Sequence, residues 1–502
     1  MTPAPNDIVE LFLARAAGQP DRPAVVQGGR SVSYGALEAS VRRLAGSLAT
    51  AGAGSPATEA EPPRVLVHLP PGAEAYAAML ATAMAGGYYA PNNLAAPLER
   101  QRMVAQRFAP NVVITSPELA PTIRDSAGAA RLLDPGDLSA PPLAAPRPPH
   151  DLLYVMFTSG STGVPKGVMV GREAVCHYTD WVLDTTKVTP EDRWSQHPNL
   201  AFDISGTDIY GALCGGAALY PLAGQADRLM PFRFARANRL TIWNSVPSVV
   251  DTMTKLNLVT PETLASLRMM IFCGEPLLPA HLEALFAARP ELPVYNTYGP
   301  TEATIACSYV ALRSDSYQAA SRFSVSIGEP MPGMGLHLVG GAHGDEGEIA
   351  ITGPQLARGY WQDPETTAGV FRPIALDGRE VPAYFTGDWA ERIDGHIYFQ
   401  HRIDHQVKIR GYRLELGEVN AAIRKAGIPA AHTALVEGEL HAFLQADQGA
   451  VDLGALHGTL KSLLSDYALP RHYHFVEDFP RNANDKVDLR ALAESLRKTP
   501  AQ

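Results

Sequence analysis

The ten residues Thr158-Ser159-Gly160-Ser161-Thr162-Gly163-Val164-Pro165-Lys166-Gly167 hold three glycines, four hydroxyls and one lysine. That mixture suits phosphate: glycines let backbone N–H groups converge on an anion, hydroxyls add donors, and a lysine adds charge without fixed geometry. The P-loop pattern GxxxxGK[ST] is not met, because Lys166 follows Pro165 and precedes Gly167. A flexible Ser/Gly linker would share the composition, but not the apolar run before it or the lysine within it.

A loop of this kind needs a strand to launch it, and residues 152–157 (LLYVMF) read as that strand, following a Pro-dense surface connection at 134–149. Upstream, the spacing of Ile8, Leu11, Phe12 and Ala16 predicts a helix. A strand-turn segment at 24–34 and a second helix at 37–48 follow, then a surface loop at 53–63, a buried strand at 64–70 and a helix at 73–85 ending at Gly86-Gly87. Downstream, strands at Met269–Phe272 and 348–352 alternate with helical patterns such as Pro279–Ala288. The whole is expected to be α/β, with a small α+β region near the end carrying helices at Leu416–Lys425 and 453–464.

The chain has 502 residues, long enough for two or three well-buried cores. Its 42 basic against 52 acidic residues give −10, the wrong sign for a protein held mainly by nucleic-acid phosphates or an anionic membrane. Cys176, Cys214, Cys273 and Cys307 are scattered, which suggests neither a zinc site nor a disulfide framework and fits a reducing cytoplasm. Neither an export signal nor a membrane-spanning run is read.

Five more groups follow the loop in order: Phe202-Asp203-Ile204-Ser205; Asn296-Thr297-Tyr298-Gly299-Pro300-Thr301-Glu302; Tyr384-Phe385-Thr386-Gly387-Asp388; Arg402-Ile403-Asp404 with Lys408-Ile409-Arg410-Gly411-Tyr412-Arg413; and Lys486. In this series the chain resembles the adenylate-forming superfamily over nearly its whole length. The resemblance implies a large N-terminal domain, residues 1–403, of two α/β subdomains plus a small β-barrel, and a mobile α+β C-terminal domain, residues 404–502, hinged at Asp404. It implies ATP and Mg²⁺ as requirements. Catalysis would fall to Lys486, Glu302 and Lys166, with Glu302 as the metal ligand. The nucleotide would lie among Thr158, Ser159, Gly160, Ser161, Thr162, Gly163, Gly274, Glu275, Asn296, Thr297, Tyr298, Gly299, Thr301, Asp388 and Arg402, with Tyr298 stacked on adenine and Asp388 receiving the ribose hydroxyls. The chain departs from the family pattern in three places: Asp485 before Lys486, His401 before Arg402, and Asn92-Asn93 where an Asp is common.

Asp203 bears on the substrate, because a buried carboxylate is costly unless a cation pairs with it, and a substrate ammonium is a natural partner. A helix-capping Asp is the competing role. The resemblance puts the pocket at Asp203, Ile204, Thr207, Ser248, Ile271, Cys273, Thr297, Ile305, Ala306 and Lys486, and the surrounding segments are similar to D-alanine:carrier-protein ligases. The implied reaction is adenylation of a small neutral amino acid, alanine of either hand, followed by transfer to the phosphopantetheine thiol of a separate carrier protein. An acyl-CoA synthetase acting on a small acid, a β-amino-acid enzyme and a catalytically retired sensor are the alternatives. No nucleic-acid partner and no membrane insertion are expected.

Overall fold

The computed structural model describes all residues except 1–5, 52–60, 137–138, 161–162, 223, 342–343, 405, 410, 448, 450, 481–486, 488–491, 493–495 and 497–502. The chain divides into two compact units, one of Met1–Asn93, Ala105–Phe157 and Gly167–Ile403, the other of Leu94–Val104, Thr158–Lys166 and Asp404–Gln502.

Among the described residues the first unit is built on two largely parallel sheets. One runs, in spatial order, Glu329–Pro330, Ser308–Leu312, Val294–Tyr298, Met269–Phe272, Ile242–Ser245, Arg193–Gln196, Ala218–Pro221, Pro23–Gln27 and Arg30–Ser33. The other runs Arg131–Leu133, Val112–Thr115, Arg64–His68, Tyr88–Pro91, Leu152–Thr158 and Lys166–Gly171. The strands Ile242–Ser245 and Met269–Phe272 are buried along their whole length, as parallel strands covered on both faces must be. Two helices, Ala73–Met84 and Ser205–Gly215, are buried almost all round, and their runs of small residues let them pack this closely. Gly211 shows how tight the fit is, since a Cβ there would stand 2.7 Å from the Trp194 ring.

The expected small barrel is a five-stranded antiparallel sheet in which the long strand Arg379–Ile393 pairs with Glu346–Thr352, Phe371–Leu376 and His396–Arg402. The second unit has its own apolar core, in which Leu416, Val419 and Ile423 of the helix Leu416–Lys425 meet Leu456 and Leu460 of the helix Leu453–Leu463. Its three-stranded sheet is Ala431–Val436, Glu439–Leu444 and His472–Phe475. No described helix is long and apolar enough to cross a membrane.

Sequence expectation and structure agree on these elements to within a few residues: the 37–48 helix extends to Tyr34–Ala51, and 24–34 resolves into the hairpin Pro23–Gln27/Arg30–Ser33. The loop expected at 53–63 lies mostly outside the described residues.

Gly328 is the sharpest test of the packing. Its φ is +78°, and an added Cβ would fall 2.0 Å from the Tyr309 carbonyl oxygen. Gly328→Ala is expected to cost about 2–4 kcal/mol of stability, read as a lower urea midpoint. An unchanged midpoint would show that the segment before Glu329–Pro330 is free to rearrange.

Candidate active site

Parallel strands end together, so residues at their carboxyl ends converge on the crevice beyond them, where ligands bind in open α/β sheets. Here those ends deliver Ser245, Cys273, Thr297 and Tyr298. Cys273 N–H donates to Ser245 O at 3.3 Å, and Thr297 Oγ1 donates to Phe272 O at 3.0 Å. Ile271, Cys273, Thr297, Ile305 and Ala306 are all buried. Ile305 approaches the helix that follows Asp203, for a Cβ on Gly206 would stand 2.9 Å from Ile305 Cδ1. Thr207 is buried with its Oγ1 2.8 Å from Tyr178 Oη. The remaining expected pocket residue, Ser248, begins a helix one turn further on, and its amide donates to Glu275 Oε2 at 3.0 Å.

Asp203 does not cap the helix Ser205–Gly215; Ile204 holds that position and no side chain makes a cap bond. Asp203 Oδ2 is out of contact with water and has no hydrogen-bond partner among the described residues. Burial pushes the carboxyl above its ordinary value and Glu302 adds to this, against the Thr301 hydroxyl and the Ile204 and Ile305 amides. A buried carboxylate in this state lacks a cation.

Asp388, by contrast, is fully engaged. Arg402 NH1 donates to Oδ1 at 2.6 Å, Tyr298 Oη donates to Oδ2 at 2.7 Å, and Arg402 NH2 donates to Thr386 O at 3.0 Å. Burial, then the neighbouring Asp388 carboxylate, holds the Tyr298 phenol in its protonated form. Each carboxylate oxygen keeps a second lone pair, so hydroxyl donors can still be received. Glu302 is 1% exposed and accepts from Tyr360 Oη at 2.7 Å. A hard divalent cation bound through one aimed carboxylate and substrate phosphates needs no larger protein cage, so this donor fits Mg²⁺. Asn296 is turned to structure, its Nδ2 donating to Ser326 O at 2.8 Å. Gly274 holds φ +92°, and a Cβ on Gly299 would meet Ala306 Cα at 2.5 Å.

The glycine-rich loop lies in the second unit. A Cβ on Gly160 would fall 2.0 Å from Val164 O, and Gly163 N–H donates to Gly160 O at 2.9 Å. Ser159 Oγ donates to Arg413 O at 2.7 Å and receives Glu415 N–H at 3.2 Å. Lys166 Nζ stands 3.3 Å from Glu415 Oε1. Thr158 ends the launching strand, and Asp404 accepts from Gln406 N–H at 3.1 Å. Ser161, Thr162 and Lys486, with the neighbouring Asp485, lie outside the described residues.

Two polar residues escaped the sequence reading. Asp208, wholly buried, accepts at Oδ1 from Trp194 Nε1 (3.0 Å) and Asn244 Nδ2 (2.8 Å), and that Asn244 nitrogen also reaches Ile204 O at 3.4 Å. Flanking this bond, Asp208 Oδ2 and Asn244 Oδ1 are buried acceptors with no partner among the described residues. Burial pushes the Asp208 carboxyl well above its usual range, opposed by its hydrogen bonds to Asn244, Trp194 and the His197 amide. The second is Gln355, fully buried against Ala303–Ala306. An acid one residue beyond Thr207 in an otherwise small and apolar run was the available signal for Asp208; Gln355 offered none.

Residues 12–361 match the family model described as AMP-binding enzyme. The chain belongs to that family. It is 32% identical to D-alanine–D-alanyl carrier protein ligase of Lactococcus lactis subsp. lactis, over 84% of this chain and 87% of that one. It is 33% identical to a stretch of tyrocidine synthase 3 of Brevibacillus parabrevis, where 97% of this chain spans only 8% of the relative, and it spans 45% of tyrocidine synthase 1 from the same organism. Among solved structures it superposes on the Vibrio cholerae adenylation domain AlmE, held with glycyl-adenosine-5'-phosphate, at TM-score 0.83 and 24% identity over 98% of both chains, a likeness of fold. IdnL7 matches at TM-score 0.71 and 30% identity over 98% of this chain and 99% of that one.

A proton on Asp208 Oδ2 would remove a buried charge and turn an orphaned acceptor into a donor. Because its folded pKa lies above the unfolded value of about 4, the folded state binds more protons across that interval, and stability falls as pH rises through it. Asp208→Asn keeps the shape without the titration. The variant should therefore melt above the wild type at pH 7.5, with the gap narrowing at pH 5. A gap independent of pH would mean that Asp208 stays charged in the fold.

Proposed function

We propose that this AMP-forming ligase activates a small neutral amino acid, alanine of either hand, with Mg·ATP, releases pyrophosphate, and passes the aminoacyl group to the phosphopantetheine thiol of a separate carrier protein in the cytoplasm. The observation that carries the reading is Asp203, whose buried Oδ2 has no hydrogen-bond partner among the described residues, while the expected pocket residues Cys273, Ile305 and Ala306 are buried and uncharged. An ammonium supplies the missing cation, and small walls leave room for a small side chain. The relatives that act on D-alanyl carrier protein support both halves of the reaction.

In this reading Tyr298, Asp388 and Arg402 receive the nucleoside. Lys166 and the loop Thr158–Gly163 receive the phosphates, and Glu302 would hold Mg²⁺, which neutralises the phosphate charge. Lys486 would join the substrate carboxylate to the α-phosphate, where like charges must be brought together. No protein nucleophile is required, since the substrate carboxylate and the carrier thiol supply both attacks. Residues 404–502 would turn about Asp404, relative to a core of 1–403, between the two half-reactions.

The test is pyrophosphate release with D-alanine, L-alanine, glycine, L-serine, L-proline, β-alanine and acetate. Turnover confined to one alanine enantiomer supports the pocket; turnover with acetate and free CoA acceptance would replace it with an acyl-CoA synthetase. Asp203→Ala should raise the amino-acid KM roughly 100-fold or more. Lys486→Ala should abolish adenylate formation but spare transfer from preformed aminoacyl-AMP, and equal loss of both steps would remove Lys486 from the assigned role.

A further inference from the structure

The segment after Glu302 is strained. Thr304 and Ile305, both β-branched, hold φ of +55° and +70°. Ala306 N–H donates to Thr304 O at 2.8 Å, which closes a three-residue turn around Ile305 with positive central φ. Turns of this hand are rare, and β-branched side chains disfavour the left-handed region. Such strain persists only where the surroundings over-determine it.

Here the surroundings are chiefly one side chain. Gln355 Nε2 lies 2.6 Å from Ala306 O and 3.3 Å from both Ala303 O and Thr304 O. Carbonyl oxygens only accept, so the amide nitrogen must face them, one hydrogen serving the nearest and the other shared by the more distant pair. Gln355 Oε1 is 3.0 Å from His177 Nδ1, and this pins the amide in that orientation. From the other side Thr304 Oγ1 donates to Gln355 O at 2.6 Å. The turn aims Ile305 at the helix behind Asp203, with Ile305 O 3.9 Å from Cys273 Sγ.

We infer that Gln355 is a positioning residue for side-chain selectivity: by holding the left-handed turn, it keeps Ile305 in place as the wall that excludes side chains larger than alanine's. The inference rests on the amino-acid pocket proposed above. Without the amide, Thr304 and Ile305 relax toward ordinary φ, Ile305 withdraws and the pocket widens. The bonds that Tyr298 and Arg402 make to Asp388 do not involve Gln355.

The experiment compares kcat/KM for the alanine enantiomer the wild type uses with that for leucine of the same hand, together with the KM for ATP. Gln355→Leu, which keeps bulk but loses the donors, should lower the alanine-to-leucine ratio roughly tenfold while leaving the ATP KM within a factor of about two. Thr304→Gly in the Gln355→Leu background should restore the ratio, since glycine adopts positive φ without the clamp. His177→Ala, which removes only the group that orients the amide, should lower the ratio less and decides the matter if Gln355→Leu fails to fold.

An unchanged ratio in Gln355→Leu or in His177→Ala overturns the inference. So does an equal loss for both amino acids that Thr304→Gly fails to reverse. A wild type that turns over no amino acid refutes the pocket reading itself and removes the inference with it, an outcome distinct from a wild type that prefers alanine and variants that keep that preference.

Discussion

A carboxylate taken out of water must find a cation, a set of donors or a proton, and this chain buries several within one unit. Each is resolved differently. Asp192 takes Arg268 through both oxygens at 2.7 and 2.8 Å, with Thr241 and the Thr189 amide completing its shell. Asp388 takes Arg402 and Tyr298; Glu302 takes Tyr360; Asp208 takes Trp194 and Asn244. Asp203, like Asp208, keeps one buried oxygen with no hydrogen-bond partner among the described residues. In the proposed reaction a substrate ammonium would supply the cation that Asp203 lacks.

The same demand shapes the scaffold. A buried polar group has to be delivered by backbone that already spends its own hydrogen bonds, and the ends of parallel strands do this: the ladder is complete up to Phe272 and Tyr298, and the next residues turn out into the crevice. Close approach is then set by glycines. Gly206 lets Ile305 reach the helix that follows Asp203, and Gly299 lets the chain fold back on Ala306 and Cys307. Residues distant in sequence thereby meet with little slack, and a strained turn such as Thr304–Ile305 can be held where a looser fold would release it.

How far this was legible in the sequence depends on the kind of signal. Met269–Phe272, Pro279–Ala288 and Leu416–Lys425 could be read to the residue because an apolar run or period ended at a turn-forming or charged neighbour. The order of motifs made Tyr298, Glu302, Asp388 and Arg402 visible, and the structure brings Tyr298 and Arg402 onto one carboxylate, a convergence that spacing cannot express. Ser248 is placed where no spacing rule predicts it, at the start of a helix with its amide on Glu275 Oε2. Asp208 and Gln355 carry no period and no motif. Their importance lies in which atoms they leave unsatisfied or hold under strain, and that is a property of coordinates.

Electrostatics set a further constraint on a protein of net charge −10 that is to hold a polyanion. Two of its candidate nucleotide-binding cations are paired: Lys166 faces the 6% exposed Glu415 side chain at 3.3 Å, and Arg402 is bonded to Asp388. In the proposed reaction, phosphate reaching Lys166 would exchange one anion for another. The gain is the difference between two ion pairs, far smaller than the bare attraction of a lysine for a triphosphate, because the existing pair must first be parted. Binding that works by exchange is readily reversed, as an enzyme that must release pyrophosphate and later AMP requires.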